Sequence, residues 1–154
     1  MLSASRNFAL VALAGFTLLA LGCGSNNKGK IEGRWKVTAW PEKMNADKDA
    51  LQEMENKGVY LYMEFTPDGR VTTGFDGNKD FLQLISTKGE LSWDAKYKLL
   101  PGDNVEIYDL PKESKPGGGG LFGSSERAKV IIKITGTEMK LTDADGTATL
   151  TKMP

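Results

Sequence analysis

"VYLYMEFTPDGR", Val59 to Arg70, decides the class of structure. Val59, Leu61, Met63 and Phe65 alternate with Tyr60, Tyr62, Glu64 and Thr66. Side chains of a strand point to opposite faces in turn, so this period of two builds one apolar face and one mixed face. Pro67-Asp68-Gly69-Arg70 then carries tight-turn chemistry. Proline presets its φ, the Asp side chain bonds its own backbone, and glycine tolerates positive φ. The stretch is one arm of an antiparallel hairpin with one face buried.

The same signature recurs in both directions. Trp35, Val37 and Ala39 share a face against Arg34, Lys36 and Thr38. Leu91, Trp93, Ala95, Tyr97 and Leu99 alternate with Ser92, Asp94, Lys96 and Lys98. Val105 with Ile107, Val130 with Ile132 and Ile134, Met139 with Leu141, and Ala148 with Leu150 complete the series. "PGDN" (Pro101 to Asn104), "TGTE" (Thr135 to Glu138) and "DADG" (Asp143 to Gly146) supply further turns. Short strands joined by regular turns predict an all-β sandwich or an up-and-down barrel. The strands number eight if Leu82 to Leu99 is one long strand bent at Gly89, and nine if Lys88-Gly89 is a turn.

Two segments break the period. Asn45 to Gly58 predicts one short helix, inserted after strand one. Asn45 caps it, Ala50, Leu51 and Met54 form a stripe, Glu53 and Lys57 pair, and Gly58 ends it. Leu110 to Arg127 contains four consecutive glycines and an apolar Leu121-Phe122 pair. Glycine runs are costly to hold in regular elements. This loop is either a plain connection whose apolar pair tucks against the sheet or a flap over a cavity.

The chain begins with MLSASRNF and continues with an apolar run, Ala9 to Gly22, that is too short to favour a spanning helix. Ala20-Leu21-Gly22-Cys23 resembles the bacterial lipobox, with Ala20 where leucine is usual. That resemblance implies a lipoprotein signal peptide over residues 1–22 and a lipid-attachment site at Cys23. It also implies a membrane anchor in the bacterial envelope, facing the periplasm. Gly24 rather than Asp after the cysteine favours the outer membrane. Residues 23–30 then form the lipidated Cys and a flexible polar tether, and 31–154 the folded domain.

Removing 22 of 154 residues leaves 132, with 19 basic and 20 acidic side chains. This suits one domain. The charges are interspersed, with no nucleic-acid footprint. The only cysteine is Cys23, so no disulfide is expected. The chain has no histidine, which removes histidine bases, Ser-His and Cys-His nucleophile pairs and His-ligated zinc. "DADGT" lacks the ligand set of a calcium loop, and "GGGGLFGSS" lacks the Lys-Ser/Thr ending of a P-loop. Glu64, Asp94, Asp103 and Glu106 have no spacing that asks for acid–base work. No catalytic residues, metal or cofactor are expected, and the protein is not expected to be an enzyme.

Gly33-x-Trp35 at the start of the first strand adds a family resemblance. With "IEGRWKV", "YMEFTPDGRV", "WDAKYKLLPGDNVEI" and "VIIKITGTEMKLTDADGTATLTK", the chain resembles the lipocalin-like superfamily. In particular it is similar to small lipocalin-like bacterial lipoproteins of planctomycete paralogous families. The resemblance implies an antiparallel meander closed into an eight-stranded lipocalin-like barrel. Trp35 would plug its closed end, and Pro41 to Gly58 would cross its open mouth.

Two sets of side chains are functional candidates. Trp35, Val37, Met63, Phe65, Phe75, Trp93, Tyr97, Ile107 and Ile132 fall on the inward phase. They line a pocket for a small apolar ligand or simply fill the core. Trp40, Tyr60, Tyr62 and Tyr108 fall on the outward phase. They form a patch for an envelope protein or are covered by the helix or long loop.

Overall fold

The structure is a computed structural model and describes residues 24–41, 48–86, 91–111 and 126–154. It is a closed antiparallel barrel of eight strands in sequence order. The strands are β1 (Gly33–Ala39), β2 (Val59–Phe65), β3 (Arg70–Gly77), β4 (Ser92–Leu99), β5 (Asn104–Tyr108), β6 (Arg127–Thr135), β7 (Glu138–Asp143) and β8 (Gly146–Lys152). β8 returns to pair with β1, with Trp35 opposite Lys152 and Val37 opposite Leu150. No strand edge is left free, because closure pairs both outer strands.

Alternation sets the walls. β4 places Trp93, Ala95 and Tyr97 inward between exposed neighbours. The four turns sit where expected, with Gly69, Gly102, Gly136 and Gly146 all at positive φ. In the β7–β8 turn, Asp143 Oδ1 accepts the N–H of Asp145 at 2.7 Å and of Gly146 at 3.2 Å.

The inserted helix α1 spans Lys48–Asn56, and Lys57 pairs with Glu53 at 2.6 Å. The proposed Asn45 cap lies outside the described residues. Gly58, at φ 72°, ends the turn and lies against Gly77. A Cβ on Gly77 would come within 2.1 Å of the Gly58 oxygen, so only glycine permits this approach.

Two expectations are corrected. The segment read as the start of a long strand at Leu82 is instead a second helix, α2 (Lys79–Ser86). Asn78 Oδ1 accepts the N–H groups of Asp80 and Phe81 at 3.1 and 3.3 Å, and this cap outweighs the short apolar alternation. Gly89 and the candidate turn around it lie outside the described residues, and β4 begins at Ser92.

The polar run Gly24 to Lys30 is not a leash. Asn26 N–H donates to the Gly102 oxygen at 2.8 Å, and Ser25 bridges to Gly102. Asn27 is only 1% exposed, and its Nδ2 donates to the Ile132 oxygen at 2.8 Å. The amide side chain satisfies a carbonyl at the rim of the sheet, which composition alone does not reveal.

The barrel therefore has two unlike ends. The closed end carries Ser25–Lys30 and the β2–β3, β4–β5 and β6–β7 turns. The mouth carries α1, α2 and the β7–β8 turn. Strand parity also starts and finishes the β5–β6 connection there, as the eight-strand count requires. The glycine run and the flap question lie in 112–125, outside the described residues, as does Cys23.

Candidate functional site

The inward set belongs to the core cluster or packs against it. Trp35, Met63, Ile107 and Ile132 are fully buried, and Phe65 and Val37 nearly so. Trp35 plugs the closed end, its Nε1 donating to the Ile31 oxygen at 2.8 Å. Ile31 seals the same end, fully buried. Tyr97 stands edge-on to Phe65, ring centres 5.2 Å apart, and its hydroxyl donates to the Thr66 oxygen at 2.9 Å. Burial raises the Tyr97 pKa. The closed half is a packed core whose polar atoms are paired.

The mouth half differs. Phe75 is only partly buried. Among the described residues two buried side-chain polar atoms have no hydrogen-bond partner: Trp40 Nε1, just past the mouth end of β1, and Thr73 Oγ1, midway along β3. Thr73 lies at the level of Met63 and Trp93 across the adjoining strands and shares the inward phase of Val71 and Phe75. Leaving a buried hydroxyl or N–H unpaired costs about 1–3 kcal/mol. Such atoms in an otherwise apolar interior suit a guest that brings an acceptor.

Sequence reasoning missed both. Thr73 had a signal, since it is the polar member of an inward row. Trp40 had none. The β1–β8 register shifts between Val37 and Ala39; Ala39 is exposed, and Trp40 just beyond it is partly buried, packed against the core beside Leu51 of α1.

The other three outer aromatics do not form an exposed patch either. Tyr62 is 8% exposed, with the Arg34 guanidinium 4.0 Å above its ring. Arg34 also pairs with Glu64 at 3.2 Å and Asp76 at 2.6 Å. Tyr60 and Tyr108 are half-buried, under Lys36 and Arg127 respectively. Burial raises the Tyr62 pKa. The Gly77 N–H, then Arg34, hold the Asp76 carboxyl below its ordinary value.

The four carboxylates are scattered among separate partners. Glu64 faces Arg34, Asp94 accepts from Thr72 at 2.6 Å, Asp103 accepts from the Asn26 amide at 2.9 Å, and Glu106 faces Arg127 at 3.5 Å. Among the described residues no three of His, Cys, Asp and Glu group closely enough to hold a metal ion. Among the same residues no helix is long and apolar enough to cross a membrane, which does not bear on the strands.

Comparison with protein-family models, curated proteins and solved structures finds no match for this chain.

Proposed function

We propose that this protein is a membrane-anchored, lipocalin-like lipoprotein that binds one small, mainly apolar molecule at the mouth of its barrel. The observation that carries the reading is that two buried side-chain donors, Trp40 Nε1 and Thr73 Oγ1, have no partner. A guest with a carbonyl or ether oxygen would accept from one or both. Phe75, Trp93 and their apolar neighbours would cover the rest of it. The anchor follows from the lipobox-like Ala20-Leu21-Gly22-Cys23, with the acylated Cys23 held in the bacterial envelope and the barrel on the periplasmic side. The outer-face alternative, an envelope protein docking on Trp40, Tyr60, Tyr62 and Tyr108, loses support. Trp40 is partly buried against the core, and cationic side chains stand over the other three.

Native mass spectrometry of protein taken gently from its host tests the site. A bound organic mass is expected, and Thr73→Val should weaken its retention about fivefold, the loss of one hydrogen bond. A bare mass together with no uptake of an apolar fluorescent probe would reject the reading. The anchor is tested separately, by loss of lipid labelling in Cys23→Ser.

A further inference from the structure

The docked segment Gly24 to Lys30 fixes where the anchor emerges. The Gly102 N–H donates to the Gly24 oxygen at 3.4 Å, and Asn26 holds both the Gly102 oxygen and the Asp103 carboxylate. The Cα of residue 23 must lie within about 3.8 Å of that of Gly24. An acyl group carried on the residue before Gly24 would therefore be tied to the closed end, where Gly24 is docked.

Charge at that end matches a membrane surface. Lys28, Lys30 and Lys133 are exposed and have no carboxylate partner among the described residues. Lys30 and Lys133 flank a polar pocket of about 320 Å³ with Asn26, Asp103 and Thr135. Of the acids at this end, Asp68 pairs with Arg70 at 2.8 Å and Glu138 with Lys140 at 3.6 Å, while Asp103 accepts from the neutral Asn26 amide and keeps its charge, as does Glu32 just before β1. Lys152 adds a fourth cation, 5.2 Å from the Trp35 ring.

We infer that the closed end sits directly on an anionic bilayer surface, with Lys28, Lys30 and Lys133 against the headgroups and the mouth pointing away. This rests on the anchored reading proposed above. Strands of this length hold the mouth roughly 20 Å from the surface. Guests then exchange with the aqueous space rather than by sliding out of the bilayer. Each lysine near the headgroups contributes on the order of fivefold to surface binding.

The full lipidated chain in phosphatidylcholine vesicles, with and without phosphatidylglycerol, tests this. Acylation blocks Cys23, so a fluorophore attaches only to an introduced thiol. Thr137→Cys marks the closed end and Gln83→Cys marks α2 at the mouth. With a quencher on the lipid headgroups, the probe at 137 should be quenched severalfold more than the probe at 83. Removing phosphatidylglycerol, or combining Lys28→Gln, Lys30→Gln and Lys133→Gln, should shrink that difference. Equal quenching in a chain that floats with the vesicles would overturn the orientation. A difference indifferent to both changes would overturn the headgroup contact. A chain that does not float at all would overturn the anchored reading with it.

Discussion

The two ends of this barrel are built from the same alternating strands and finished by opposite means. At the closed end the polar atoms find partners: Trp35 Nε1 meets the Ile31 oxygen, and the Asn27 amide meets the Ile132 oxygen. Towards the mouth Trp40 Nε1, and midway along β3 Thr73 Oγ1, are buried without a hydrogen-bond partner. A tryptophan with its indole N–H paired locks a structure, whereas one with the N–H unpaired stores an unmet demand. The contrast separates the part of the molecule that makes it stable from the part proposed to receive a guest.

The sharpest way to break this comparison is to truncate one tryptophan at each end. Trp35→Ala should destabilise the barrel by about 3–5 kcal/mol in denaturant unfolding. Trp40→Ala should cost about half of that or less, because its loss also removes an unpaired donor. Equal costs would erase the distinction. Next in size is Asn27→Ala, expected to cost about 1–3 kcal/mol by stripping the rim carbonyl of its donor. A flexible tether would give no change in the same measurement.

Thr73→Val should run the other way. Without ligand it should gain up to about 1 kcal/mol in unfolding free energy, because an unpaired buried hydroxyl becomes a methyl. A loss of stability there would mean that the hydroxyl is paired. The smallest effect concerns the outer wall, where Arg34, Glu64 and Asp76 bridge β1, β2 and β3. The folded Asp76 pKa is depressed below its ordinary 3.8, chiefly by the Gly77 N–H. Its contribution is therefore fully present above about 3.8 and is lost as pH falls through the lower, folded value. Asp76→Asn should flatten the acid side of a stability–pH curve and leave its slope near neutrality unchanged.

Much of the scaffold was legible in the sequence because it rests on local rules. Val59 to Phe65 and Trp93 to Tyr97 announce their buried faces by alternation, and the turns at Gly69, Gly102, Gly136 and Gly146 announce themselves by composition. What escaped depends on context. Leu82 and Leu84 alternate like a strand, yet Asn78 caps a helix there and leaves Leu84 66% exposed. Asn27 looks like linker until a bare carbonyl on a strand more than a hundred residues away is placed beside it. The register shift beside which Trp40 packs against the core arises from β8 pairing with β1, which no local window contains. The candidate site was thus half visible: its apolar lining followed from periodicity, while its two unpaired donors needed the fold.

That β1–β8 seam also has a kinetic meaning. The first strand cannot find its last partner until the whole domain has been made, and every other neighbour in the barrel is adjacent in sequence. Until then the seven earlier strands would present two open hydrogen-bonding edges, the arrangement that most invites intermolecular pairing. For a chain synthesised from its N-terminus, closure would be the final event. A truncation that removed only β8 would leave most of the mass and forfeit the seam, turning a sealed barrel into an aggregation-prone sheet.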